Sequence, residues 1–329
     1  IFWLDADDRI PVEEREKFLQ WRKNLPFSKN TAFWFVIESP EAEDDFFARY
    51  AVQIRAFPNI PGLRWVRRVH ESIIDGLLLA NVSLVETDIR IKHIGYKDPE
   101  QITKKAKRNL RLLLTALAEN PKDFVIFWHL SQTYGILREY EKALYYAERF
   151  ANEGDFSGQL HWKIAALLNV AKCYERLGRI DDAEHYYRQA EALDPSSPMV
   201  LFSLGKFFLR IGKREEAKAR LMKFVTTEPK PIAVPFPHRV AKYYSHLWLG
   251  NLWRLEGDVN KSLDEYEKAF EIYPHGELRE LYANLGELAL QMGRNEIALM
   301  FLEVARKERS DPNVCLLYTS DAADELDGV

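Results

Sequence analysis

The stretch that decides the fold is Ile164–Ser197, Ile-Ala-Ala-Leu-Leu-Asn-Val-Ala-Lys-Cys-Tyr-Glu-Arg-Leu-Gly-Arg-Ile-Asp-Asp-Ala-Glu-His-Tyr-Tyr-Arg-Gln-Ala-Glu-Ala-Leu-Asp-Pro-Ser-Ser. Laid over Pro198–Pro231, it repeats at an offset of 34 residues. Ala171 falls over Gly205, Tyr174 over Phe208, Gly178 over Gly212, Ala183 over Ala217 and Pro195 over Pro229. A fixed period of this length is the mark of a stacked helical-repeat architecture. Each position has a physical reason. The small residue of the first helix lets the second approach closely, and the glycine ends the first helix in a left-handed conformation. The alanine of the second helix permits tight crossing, and the proline stops that helix because it lacks a donor.

Working outward, two further copies follow, through Gly250, Gly257, Ser262, Tyr266 and Ala269, then Gly286, Gly293, Ala298 and Leu302. A looser copy leads the array with Phe127, Leu130, Tyr134, Ala143 and Phe150. This pattern of small and aromatic positions resembles the tetratricopeptide repeat. The resemblance implies about five repeats over residues 124–314, stacked into a curved superhelix around one continuous core. Lys230–Pro237 interrupts the register, and its proline density forbids a helix. It reads as a loop, either bordering a groove or a tolerated surface insertion. Trp128, Trp162, Trp248 and Trp253 read as inter-helix core, or else as groove lining.

Composition bounds the rest. The chain has 329 residues, 47% hydrophobic, with a formal net charge of −4 spread without blocks. No basic block points to nucleic acid, and no apolar run approaches the roughly 18 residues of a transmembrane segment. Two cysteines, Cys173 and Cys315, make neither a disulfide framework nor a metal site. They fit a reducing, cytoplasmic compartment. The chain opens on Ile1-Phe2-Trp3-Leu4 without Met, which reads as a strand already inside a domain. Residues 315–329 contain Cys-Leu-Leu-Tyr-Thr-Ser-Asp-Ala-Ala-Asp-Glu, which resembles a translated sequencing adapter and is set apart as a non-native tail. Without its four acids the net charge becomes zero.

Residues 1–98 have a different texture. Ile1–Leu4 reads as an apolar strand and Pro11–Leu25 as a short helix opened by proline. Thr31–Glu38, Phe47–Phe57, Arg64–Val69 and Leu84–His93 read as strands. After the first strand stands Asp5-Ala6-Asp7-Asp8. Two carboxylates two residues apart on a strand point the same way, and such a pair can hold a hard divalent cation through oxygen. A solvated acidic turn is the plainer reading of the same residues.

Their company is more specific. Trp3-Leu4-Asp5-Ala6-Asp7-Asp8 is followed by Ile54-Arg55-Ala56-Phe57-Pro58-Asn59, then Leu63-Arg64-Trp65-Val66 leading to Val69-His70-Glu71, then Ile91-Lys92-His93-Ile94-Gly95-Tyr96, and finally Lys107-Arg108-Asn109-Leu110. This order resembles the second half of a family-2 glycosyltransferase domain, in the subgroup that carries tetratricopeptide repeats behind it. The resemblance implies a mostly α chain. A partial α/β GT-A-type domain would span 1–98, a connecting helix 99–123 and the repeat array 124–314. It implies a nucleotide-sugar donor, a divalent metal (Mn or Mg) and a protein or glycan acceptor. Asp5 and Asp7 would take the metal and the sugar diphosphate, with His93 a further metal contact and Arg55 facing the donor phosphates. Glu71 would be the base that takes the acceptor proton, giving inversion, and His70 would shape the acceptor site. Asp8 has no assigned role.

Plainer readings stand beside these. Glu71 could pair with Arg67 or Arg68, His93 could sit in a turn, and Arg55 could be a structural strand residue. The rival function is a non-catalytic scaffold whose repeats bind a protein partner in their groove.

Overall fold

The computed structural model describes residues 1–25, 30–39, 49–69, 71–94, 99–228, 234, 236–273 and 278–307. Among them the chain divides into two compact units, Ile1–Tyr186 with Lys230–Pro237, and Tyr187–Pro229 with His238–Val329. The tail from residue 308, and residues 229–233 and 235 of the insertion, lie outside the described residues.

Among the described residues the repeats appear as five helix pairs. They are α4 (Phe124–Ile136) with α5 (Tyr140–Glu153), α6 (Leu160–Arg176) with α7 (Ile180–Leu193), and α8 (Pro198–Arg210) with α9 (Arg214–Val225), then α10 (His238–Leu255) with α11 (Val259–Ile272), and α12 (Leu278–Gln291) with α13 (Asn295–Lys307). Gly178, Gly212, Gly257 and Gly293 all lie at positive φ, between 70° and 81°. There the N–H after the glycine reaches back to the last turn, Arg179 to the Tyr174 carbonyl at 2.9 Å and Lys213 to Phe208 at 2.9 Å. These bonds satisfy carbonyls that a helix end leaves without partners. In the first pair the same turn is made by Arg138, at φ 59°, with Glu139 N–H bonded to the Tyr134 carbonyl at 2.9 Å.

The small positions act as read. A Cβ on Gly205 would meet Leu221 at 2.6 Å, and one on Gly286 would meet Leu302 at 2.5 Å. Each second helix therefore lies against the backbone of the first. Ala143, Ala183, Ala217, Ser262 and Ala298 are fully buried at the crossing. The four tryptophans pack between helices: Trp128 meets Trp162 edge-on at 5.4 Å, and Trp248 stacks on Phe202 at 5.7 Å. Trp253 lies between the Lys218 and Lys261 ammonium groups, each 4.3 Å from its ring centroid.

Among the described residues the front of the chain forms a four-stranded sheet in the order β1-β4-β2-β3. Its strands are β1 (Asp8–Arg9), β2 (Thr31–Ser39), β3 (Arg49–Ala56) and β4 (Ser83–His93). Helix α1 (Arg15–Lys23) follows a 3-10 turn at Val12–Glu14. β2 runs parallel to β4 and antiparallel to β3, and its side chains alternate between two apolar clusters.

Two expectations need correction here. Arg64–Val69 is not a strand. It makes one bridge, Val66 to Ser72, and turns at Arg67 with φ 74°. Arg67 and Arg68 instead fasten this loop to Asp123 and Glu119, the flanks of the connecting helix α3 (Pro99–Glu119) and α4. Nor is Ile1–Leu4 a continuous strand: Phe2 bridges Ala56, and Trp3 N–H bonds the Arg55 carbonyl at 3.0 Å. A short helix α2 (Ile74–Leu79) has no counterpart in the sequence reading. Six residues are too few to show a helical period.

Candidate metal centre

The first nine residues reach both strands that flank β2 in the sheet. Trp3 bonds to β3, while Asp8 and Arg9 pair with His93 and Lys92 of β4. The turn Asp5-Ala6-Asp7 is the link between these contacts, closed by Asp8 N–H to the Asp5 carbonyl at 3.0 Å. Asp5 and Asp7 therefore converge because the chain turns, not because a strand alternates. That corrects the geometric reason given for their spacing.

Asp5, Asp7, Asp8 and His93 come together here, with one donor atom from each lying within 4.8 Å of the others. Asp8 and His93 are directly opposite in the β1–β4 register, which puts their side chains on one face. His93 Nδ1 lies 2.9 Å from Asp8 Oδ1 and 3.6 Å from Asp7 Oδ1. The side chains of Asp5 and Asp7 are nearly half exposed, at 47% and 42%, while that of Asp8 is at 0%.

Arg55 closes the cluster from below. Its Nη2 donates to Asp8 Oδ2 at 2.9 Å and to Asp5 Oδ2 at 3.2 Å. Its guanidinium lies 3.9 Å from the Trp3 ring centroid, a cation–π contact. Arg55 is 1% exposed, so it does not face donor phosphates from an open surface. The reading of Arg55 as a phosphate contact is corrected to that of a buried cation holding two carboxylates. Its Nε and Nη1 are buried without hydrogen-bond partners, leaving part of its charge to act on the acids through space.

The electrostatics follow. Burial pushes the Asp8 carboxyl upward, but the hydrogen bond from His93, the Asp5 N–H and the Arg55 charge outweigh it and leave it below the ordinary range. His93 is raised, chiefly by its bond to Asp8, against the opposing effect of burial and with help from Asp7. The donor set fits a hard divalent cation. It offers exposed carboxylate oxygens and an imidazole, with the Arg55 guanidinium bonded to Asp5 and Asp8 behind them.

The other candidate residues stand apart. Glu71 is exposed and lies outside the four-residue group. The arginines suggested as its partners, Arg67 and Arg68, are ion-paired to Asp123 and Glu119. His70 lies outside the described residues. The residue that sequence reasoning left without a role is Asp8, the hub of the cluster. Its signal was present, a third acid directly after Asp-x-Asp, but only the strand register gives it a partner.

A tetratricopeptide repeat family model matches residues 164–197, the α6–α7 pair. No curated protein matches the chain. Among solved structures, BtubC (BKLC) from P. vanneervenii is similar with a TM-score of 0.52 at 17% identity, over 65% of this chain and 92% of that one. YrrB, titled a TPR protein with an unusual peptide-binding site, gives 0.46 at 16% identity, over 65% and 97%. MamA from MSR-1 gives 0.43 at 18% identity, over 57% and 98%. At 17% identity the likeness to BtubC is one of fold alone. The chain is mostly helical and contains a tetratricopeptide repeat. The family match covers that repeat alone, so residues 1–98 rest on their own geometry. No described helix is long and apolar enough to cross a membrane.

Proposed function

We propose that the helical repeats are a docking module for an extended segment of a partner protein. The observation that supports this is a set of half-buried amides bridging successive first helices. In one unit Gln132 Nε2 donates to Asn169 Oδ1 at 3.0 Å, and Asn169 Nδ2 donates to Ser131 Oγ at 2.8 Å. In the other, Asn284 Nδ2 and the Tyr266 hydroxyl both donate to Asn251 Oδ1, at 3.3 and 2.6 Å. Amides held in fixed orientation on a repeat face suit the N–H and C=O groups of an extended peptide. Selection of displayed peptides on the full chain, then calorimetric titration of the winners, tests this. Binding should weaken in Asn169→Ala or Asn251→Ala; winners indifferent to both substitutions would count against it.

A second reading is favoured by the cluster at Asp5, Asp7 and His93: metal-dependent transfer of a sugar from a nucleotide-sugar donor. Asp5 and Asp7 would hold Mn2+ or Mg2+ with His93, and Asp8 and Arg55 would keep them in place. When bound, the cation neutralises the departing diphosphate. Glu71 would serve as base and His70 as acceptor contact, both on the resemblance alone. Mn2+ titration of the full chain, followed by electron paramagnetic resonance, should show binding that Asp7→Ala abolishes. A wild-type chain that leaves all Mn2+ free would sink this reading.

A further inference from the structure

We propose that helix α3 carries a docking face for the anionic headgroups of a lipid bilayer, a role separate from both readings above. The chain as a whole has a formal net charge of −4, spread evenly along most of its length. The α3 segment runs against that balance. Lys104, Lys105, Lys107, Arg108 and Arg111 stand close together, and no acid intervenes between Glu100 and Glu119. At about 100° per residue, the helix gathers these five cations into an arc of about 160°. All five are exposed. Ala106 and Leu113 fall on the opposite side and are buried, at 4% and 2%, and α3 packs on α4. The protein thus takes the apolar side of the helix, and the cations face solvent.

Charge complementarity calls for an anionic partner, and the residue types choose among the kinds. Faces that bind single-stranded nucleic acid interleave cations with aromatic rings on which bases stack; α3 contains no aromatic residue. Acidic peptides are best held by the planar fork of arginine, which pairs a carboxylate at two points. Three of the five cations here are lysines, compact charges on flexible stems. Such charges suit a field of headgroups, which requires only that several of them reach one plane. Leu114, 39% exposed, flanks the same arc. Because the opposite side is buried, α3 would lie along the bilayer surface, held by electrostatic attraction to anionic lipid.

The test is sedimentation of the full chain with vesicles of phosphatidylcholine alone, or of phosphatidylcholine mixed with phosphatidylglycerol. Binding is expected on the mixed vesicles only, and added NaCl should release it, because salt screens the attraction. Each cation near an anionic leaflet contributes about fivefold in partitioning, so Lys107→Gln with Arg111→Gln should weaken binding about 25-fold. Glutamine matches lysine and arginine in helix propensity, so circular dichroism should be unchanged. Should that variant lose helix, Lys104→Gln with Arg108→Gln takes its place. Lys261→Gln with Lys268→Gln, at exposed positions of α11, changes the net charge equally and should leave binding nearly as it was. No binding to the mixed vesicles, equal binding to neutral ones, or equal loss in the α3 and α11 variants overturns the proposal. So does α3-dependent binding of oligouridylate or polyglutamate, read by fluorescence anisotropy, that exceeds binding to the vesicles.

Discussion

Ser262 Oγ donates to the carbonyl oxygen of Gly250 at 2.8 Å, across the contact between α10 and α11. Both residues are buried, and a Cβ on Gly250 would meet the Tyr266 ring at 2.6 Å. A small residue on one helix and a hydroxyl on the other thus set the separation of the pair.

Gly250→Ala is expected to destabilise its unit by about 1–3 kcal/mol, the cost of forcing an extra methyl into a filled crossing. Gly135 in α4 is the contrast. Nothing lies within 4 Å of the place its Cβ would take, and the helix gains from reduced chain freedom. Gly135→Ala should add about 0.5–1 kcal/mol. Chemical denaturation of the two variants beside wild type measures both signs.

Arg138 occupies the left-handed turn that glycine takes in the other described repeats. A side chain there costs about 1 kcal/mol, so Arg138→Gly should raise the stability of the first helix pair by up to that amount. The reciprocal Gly212→Ala should lower stability by a similar amount. Hydrogen exchange at the flanking helix ends reads each effect locally.

His238 supplies a pH dependence. Burial, aided by Lys242, lowers its folded pKa from 6.5 to about 4, and its Nε2 lies 3.1 Å from Thr227 Oγ1. Between these values the unfolded chain binds a proton that the native chain refuses. Its contribution is therefore fully present above pH 6.5 and lost as pH falls toward 4, for a total of about 3 kcal/mol. His238→Gln should flatten the slope of stability against pH in that window. Equal slopes for the two proteins would refute the assignment.

Arg55 is the counter-charge of Asp8. Arg55→Met should leave a buried carboxylate uncompensated and cost about 3–5 kcal/mol. The loss should fall on the sheet, because every described ion pair of Arg55 is made within the first eight residues. Limited proteolysis should then cut residues 1–94 while the helical pairs resist.

The helix pairs were legible because their cause is local. A period of 34 residues, a glycine at each turn and a small residue at each crossing are properties of single positions. The cluster was legible only in part. Asp5, Asp7 and His93 were singled out by type and order, but Arg55 was aimed outward when it lies under the acids. Asp8 had no role until its partner across the sheet was known. The loop at Arg64–Val69 looked like a strand because its apolar residues suit one. Ion pairs to Asp123 and Glu119, more than fifty residues away, hold it otherwise.

What the sequence alone determined is the helical-repeat array, since stacking demands the same small and left-handed positions in each copy. Only the tertiary structure decided the cluster of Asp5, Asp7, Asp8 and His93. Its four donors come from a turn and a strand some 85 residues apart in the chain, and a strand register, set by which side chains bury, chose which of them meet.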